Sequence, residues 1–134
     1  MNVLVVEDNE DNLALATKVL RFGGHEVTAA RSGEEALAVV AVRRPDVVLM
    51  DLGLPEMDGW EATRRMRSME GMGSVPVIAL TAHALRPQDR ERALEAGCCD
   101  YVTKPFDRKQ LLDLIEQHAA VSGTAKGPAA AGAA

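Results

Sequence analysis

Val47-Val48-Leu49-Met50-Asp51-Leu52-Gly53-Leu54-Pro55 is the stretch that decides the fold. Four apolar residues run without polar alternation, and two of them are β-branched. A strand with one wet face would alternate, so this run suits a strand covered on both faces. It ends on an acid, and Gly53 and Pro55 follow as chain breakers. The expected element is therefore a buried strand that carries the Asp51 carboxylate at its carboxyl end.

Similar short apolar runs lie on either side, at Val3–Val6, Val27–Ala30, Val77–Leu80 and Tyr101–Val102. Helical patterns separate them. Asn9 to Phe22 carries Leu13, Ala16, Val19 and Leu20 on one stripe and stops at Gly23-Gly24. Ser32 with Glu35 forms a capping box for a helix reaching about Val42. Further helices are expected over about Trp60–Met69, about Pro87–Ala96 and from Asp107 onward, the last with Leu111, Leu114, Ile115 and His118 on one side. Five strands alternating with five helices predict an α/β fold, with a parallel sheet sandwiched between two helical layers. Right-handed crossovers leave the flavodoxin-like strand order 2-1-3-4-5 as the natural solution. Val121–Ala134 is dominated by Ala, Gly and Pro and is read as a flexible tail, leaving residues 1–120 as the one domain.

Composition narrows the function classes. The chain has 134 residues, with 15 Lys and Arg against 20 Asp and Glu, for a net charge of −5. That is a poor balance for gripping nucleic-acid phosphates, and no basic cluster stands out, so no nucleic-acid partner is expected. No apolar run is long enough to span a bilayer, and the N-terminus lacks a basic leader, so no membrane partner is expected either. The two cysteines, Cys98 and Cys99, are adjacent and build no disulfide framework, which points to the cytoplasm.

In a doubly wound sheet the site lies beyond the carboxyl ends of the strands, beside the first strand. The first strand ends in Glu7-Asp8, the third in Asp51, the fourth in Thr81 and the fifth in Thr103-Lys104-Pro105. Carboxylates about 4 Å apart repel by roughly 4 kcal/mol each pair at an effective dielectric near 20. Either one takes up a proton or a cation sits among them. Hard oxygen ligands with room for water suit Mg²⁺ better than Ca²⁺ or Zn²⁺. A divalent ion, a lysine and a hydroxyl are together the equipment for holding a phosphoryl group, and Asp51 can serve as its nucleophile.

Four motifs then carry a resemblance: Val5-Val6-Glu7-Asp8-Asn9, Leu49–Gly59, Ala79-Leu80-Thr81-Ala82 and Asp100-Tyr101-Val102-Thr103-Lys104-Pro105-Phe106. In this order, each at a strand end, they resemble response-regulator receiver domains of two-component signalling over about residues 2–119. The resemblance implies that Asp51 accepts a phosphoryl group from a phosphohistidine. Glu7, Asp8, Asp51 and the Gly53 backbone carbonyl would hold Mg²⁺, with Mn²⁺ as a substitute. Thr81, Lys104 and the Ala82 backbone would bind the phosphoryl oxygens. Thr81 and Tyr101 would form the switch, and Pro105 would follow a cis bond. Implied partners are a sensor histidine kinase or a histidine phosphotransfer protein, docking beside the first helix and the loop after the fifth strand, and a downstream protein target. The chemistry is confined to phosphoryl transfer onto the chain's own aspartate and loss of that group, so no enzyme acting on other substrates is expected. The chain reads as a single-domain regulator or as a receiver taken from a hybrid histidine kinase.

Plainer roles compete at several positions. Glu7 and Asp8 also suit the first turn of a helix. Thr81 also suits a helix cap. Tyr101 suits any strand. His25, His83 and His118 are scattered, and with Cys98 and Cys99 they make no metal-ligand spacing. Two other functions were weighed. A Mg²⁺-dependent phosphohydrolase with an aspartyl-phosphate intermediate would want an acid where Gly53 stands. A flavodoxin-like cofactor binder would want a Ser/Thr/Gly-rich loop where Glu7–Asp11 stand.

Overall fold

A computed structural model describes residues 1–54, 57, 59–81, 91, 94–98, 100–103 and 107–126, with side chains through residue 118. Five parallel strands form one sheet in the order β2-β1-β3-β4-β5, namely β1 (Asn2–Val6), β2 (Glu26–Ala30), β3 (Val47–Asp51), β4 (Val77–Thr81) and β5 (Asp100–Thr103). Between them lie α1 (Glu10–Phe22), α2 (Gly33–Val42) and α3 (Gly59–Arg67), and the C-terminal helix spans Arg108–Lys126. Helical residues at Glu91 and 94–96 mark the fourth of the five helices in chain order, between β4 and β5. The expected doubly wound architecture is thus present.

Period-two alternation sorts the strand residues between two cores. Val3, Val5, Val47, Leu49, Ile78 and Leu80 face one layer, where Leu13, Ala16 and Leu20 of α1 meet Leu111 and Ile115 of the C-terminal helix. Leu4, Val6, Val48, Met50 and Ala79 face the other, with Ala36 and Val40 of α2 and Trp60, Ala62 and Met66 of α3. β1, β3 and β4 are buried along their whole length. β2 departs from the expected two-sided cover: it is an edge strand, and Glu26 and Ala29 are exposed.

Local chemistry sets the helix boundaries. The Asn9 side chain caps α1 by accepting from the Asn12 N–H at 2.9 Å, so the helix begins one residue after the expected start. Ser32 caps α2 by accepting from the Glu35 N–H at 3.1 Å, and the Glu35 carboxylate accepts from the Arg31 N–H at 3.3 Å. The boundary at residue 121 needs correcting, because the C-terminal helix continues through Lys126. Alanine has the best helix propensity, and a helix already nucleated by Leu111 and Ile115 propagates through such residues at little cost. Residues 127–134 lie outside the described set.

At the amino ends of β4 and β5 one side chain holds three segments together. The Arg67 guanidinium donates to the carbonyls of Met72 at 3.0 Å, Gly73 at 3.2 Å and Gly97 at 2.6 Å. At the opposite rim, Gly59 lies where a Cβ would run into the Asp51 carbonyl oxygen and would come 2.8 Å from Leu52 Cα. Backbone leaves no room to yield there. Gly59→Ala is expected to cost about 1–3 kcal/mol or more, the scale of overpacking. A urea titration in which this variant keeps the native midpoint would contradict it.

His25 gives the fold a pH dependence. Both ring nitrogens are shielded, and among the described residues neither meets a hydrogen-bond partner. Burial, and then the positive N-terminus, hold its pKa below the ordinary 6.5, while Glu116 pulls the other way. The unfolded chain therefore binds this proton first, so stability falls as pH drops below about 6.5. The urea midpoint should decline between pH 7 and pH 5.5, and His25→Phe should flatten that decline.

Candidate functional site

The register brings the acids together. Val6 pairs with Met50 across β1 and β3, so Glu7 and Asp51 each extend the chain by one residue from the same row. The Glu7 N–H is tied to the Ala30 carbonyl at 3.0 Å, and the Leu52 N–H to the Leu80 carbonyl at 3.0 Å, so neighbouring strands hold both backbones. Glu7 is 1% exposed and Asp51 5% exposed, whereas Asp8 is open to solvent. One carboxylate oxygen from each of the three lies within 4.8 Å of the others.

Each buried carboxylate accepts a backbone N–H two residues on. The Asn9 N–H donates to Glu7 Oε2 at 3.1 Å, and the Gly53 N–H donates to Asp51 Oδ1 at 3.0 Å. Such bonds fix the carboxyl orientation. At Gly53 an added Cβ would meet, among the described residues, only the Asp51 Oδ1, at 3.7 Å. Asn9 and Gly59, which end the first two motifs, contribute through the backbone, Asn9 by its N–H on Glu7 and Gly59 by leaving room at the Asp51 carbonyl. Their signals were an Asx cap directly after an acid pair and a glycine at a helix start.

Thr81 closes β4 and is buried, beside Thr103 in the β4–β5 register. The row before it pairs Leu80 with Asp51 across β3 and β4, so Thr81 emerges one residue beyond the acid. Tyr101, on edge strand β5, is half-buried and lies against the core on the α2–α3 side of the sheet. Its N–H donates to Asp100 Oδ1 at 2.8 Å, and Asp100 Oδ2 meets His118 Nε2 at 3.2 Å. Lys104, Pro105, Ala82 and His83 lie outside the described residues, and with them the expected cis bond. Cys98 is buried near the Thr63 hydroxyl.

The donor set suits a hard divalent cation: all oxygen, two buried acids with fixed orientation, and one exposed acid beside them. At 4.8 Å a pair of unit charges costs about 3.5 kcal/mol at an effective dielectric of 20. A cation removes that repulsion, and Asp8 would pay less for its place because water already screens it.

An acidic cluster thus stands at the switch point of a 2-1-3-4-5 sheet, with a threonine on the next strand end. The chain belongs to the response regulator receiver domain family, whose model matches residues 3–116. It is 38% identical over 117 residues to the polar-differentiation response regulator DivK of Brucella ovis, covering 87% of this chain and 94% of that one. Among solved structures it resembles the receiver domain of a sensor histidine kinase from Pseudomonas aeruginosa PAO1, which has a magnesium ion coordinated in its active-site cleft. That likeness has a TM-score of 0.81 and 42% identity, and it covers 88% of this chain and 96% of that one. A CheY-like receiver domain from Methanospirillum hungatei gives a TM-score of 0.85 at 26% identity, over 94% of this chain and 98% of that one. This is therefore a receiver domain of two-component signalling, a class that works with histidine kinases or phosphotransfer proteins and with downstream targets. No described helix is long and apolar enough to cross a membrane.

Removing one acid should lower the repulsion when no divalent ion is present. Asp8→Asn is expected to raise the thermal midpoint by a few degrees in chelator, and the stabilisation that millimolar Mg²⁺ gives the native chain should shrink in the variant. Equal Mg²⁺ responses in the two proteins, measured by scanning calorimetry, would remove Asp8 from the ligand set.

Proposed function

We propose that Asp51 is the phosphoacceptor of this receiver and that phosphorylation changes which partner it binds. The observation that carries the reading is the gathering of Glu7, Asp8 and Asp51 at adjacent strand ends within 4.8 Å. Glu7, Asp8, Asp51 and the Gly53 carbonyl would hold Mg²⁺, or Mn²⁺ in its place, and the ion would supply charge neutralisation at the phosphoryl oxygens. A phosphohistidine on a kinase or phosphotransfer protein is the donor. An Asp51 carboxylate oxygen attacks phosphorus, the P–N bond breaks, and the imidazole leaves with the electron pair. Gly53 supplies no acid for a second proton transfer, which argues against steady hydrolysis of phosphate esters.

The phosphorylated side chain carries about −1.5 to −2 charge. The Thr81 hydroxyl, one residue beyond the acid row, and Lys104 answer that charge. Thr81 moving toward it vacates space, and Tyr101 turns inward from the edge strand. Both conformations pre-exist, and the phosphoryl group shifts their populations. The Ala82 backbone would bind a further phosphoryl oxygen. The role is cytoplasmic, with no nucleic-acid or membrane partner. The output partner is a protein.

Asp51→Asn should fold as the native chain does, because the replacement keeps the shape and the Gly53 N–H acceptor. It should take up no label from a phosphorylated histidine kinase in the presence of Mg²⁺. Label arriving on the variant at the native rate would refute the assignment.

A further inference from the structure

The chain is acidic overall, yet one groove on it is basic. A groove of about 540 Å³ follows the outer flank of α1, lined by Leu13, Ala14, Thr17, Lys18 and Arg21, with Arg31 from the segment after β2. The α1 positions recur at the three-to-four spacing of a single helical stripe. The opposite flank of α1 carries Leu15 and Phe22, and the Arg108 guanidinium lies 4.5 Å from the centre of the Phe22 ring. Arg108 opens the C-terminal helix, so that other flank is the one next to the start of this helix. The basic groove thus faces away from that helix, toward edge strand β2.

The groove holds three bases and a single acid, Glu10. Glu10 meets Arg31 at 3.9 Å, with side chains 77% and 57% exposed, a pairing that contributes little in water. Lys18 and Arg21 form no ion pair or side-chain hydrogen bond among the described residues. Arg21 alone would be explained by the last turn of α1, where the helix terminus favours a cation. That account does not reach Lys18, in the middle of the helix, or Arg31, on a different segment. Between the cations the floor is Leu13, Ala14 and Thr17, so the groove joins positive rims to a mostly apolar base. From Glu10 to Arg21 it runs about 16 Å at the helical rise, three turns of a partner helix.

We propose that this flank of α1 is a docking surface for an acidic amphipathic helix of a partner protein. The partner's carboxylates face Lys18, Arg21 and Arg31, and its apolar stripe lies on Leu13, Ala14 and Thr17. The surface goes beyond the phosphoacceptor reading. It uses neither Asp51 nor a divalent ion, so it can fail while that reading stands, and the reverse.

The test uses the unphosphorylated native chain without Mg²⁺. The probe is a synthetic helix-forming peptide of four turns with Leu on one stripe and Glu on both sides of it, and the control replaces each Glu by Lys. Amide shifts in two-dimensional NMR should cluster at residues 10–21 and 31 with the Glu peptide and be absent with the Lys peptide. Affinity should weaken several-fold between 50 and 300 mM salt. It should fall at least fivefold in the double variant Lys18→Glu, Arg21→Glu, and by less in Lys18→Gln, Arg21→Gln. All four substitutions are on exposed side chains, and circular dichroism will confirm the fold. The proposal is overturned if the Glu peptide causes no shifts at millimolar concentration, if shifts fall elsewhere, if both peptides bind alike, or if the charge-reversed chain binds as the native one does.

Discussion

The repulsion between Glu7 and Asp51 is the constraint around which the rest is arranged. Two acids, 1% and 5% exposed, sit at the ends of adjacent strands. Burying like charges side by side is unfavourable unless something opposes it. The fold opposes it with strand pairing on both sides and with a backbone N–H on each carboxylate. The apolar runs of β1 and β3 do the positioning. Because they are covered on both faces, polar side chains stand at their ends, Asn2 at the start of β1 and the acids at the carboxyl ends.

Charge is distributed unevenly over the molecule. The acids gather at the rim of the sheet around Glu7, Asp8 and Asp51, and three bases gather on the flank of α1. Beyond Val6 the same chain segment thus presents an anionic pocket and then, within two turns of helix, a cationic surface. A protein of net charge −5 gains from this a way to tell its contacts apart by sign.

Much of this was legible in the sequence because the signals were periodic or chemical. Val47–Met50 announced a two-sided strand, and Glu7, Asp8, Asp51 and Thr81 were found by asking what each strand end carries. The helix ends were read to within one or two residues wherever a cap was present, as at Asn9 and Ser32. Other features left no such trace. Glu26 and Ala29 are exposed because β2 is an edge, a place that the expected strand order gave it but that the apolar run Val27–Ala30 does not mark. The C-terminal helix outlasted the expected boundary because Ala-rich sequence is compatible with both tail and helix. Asn9 and Gly59 stood within the motifs, but the backbone contact that each makes does not show in a linear pattern. The basic groove was missed because Arg31 is far from Lys18 and Arg21 along the chain.

Arg67 has a consequence for where the molecule can yield. A single planar cation fastens Met72, Gly73 and Gly97, so the lower edge of β4 and β5 is stapled from three directions. The strands cannot slide as rigid rods while that staple holds. Any rearrangement they undergo must bend about it, growing toward the far tips. The domain is built like a fan: pinned at the handle, with its freedom of movement concentrated at the open edge.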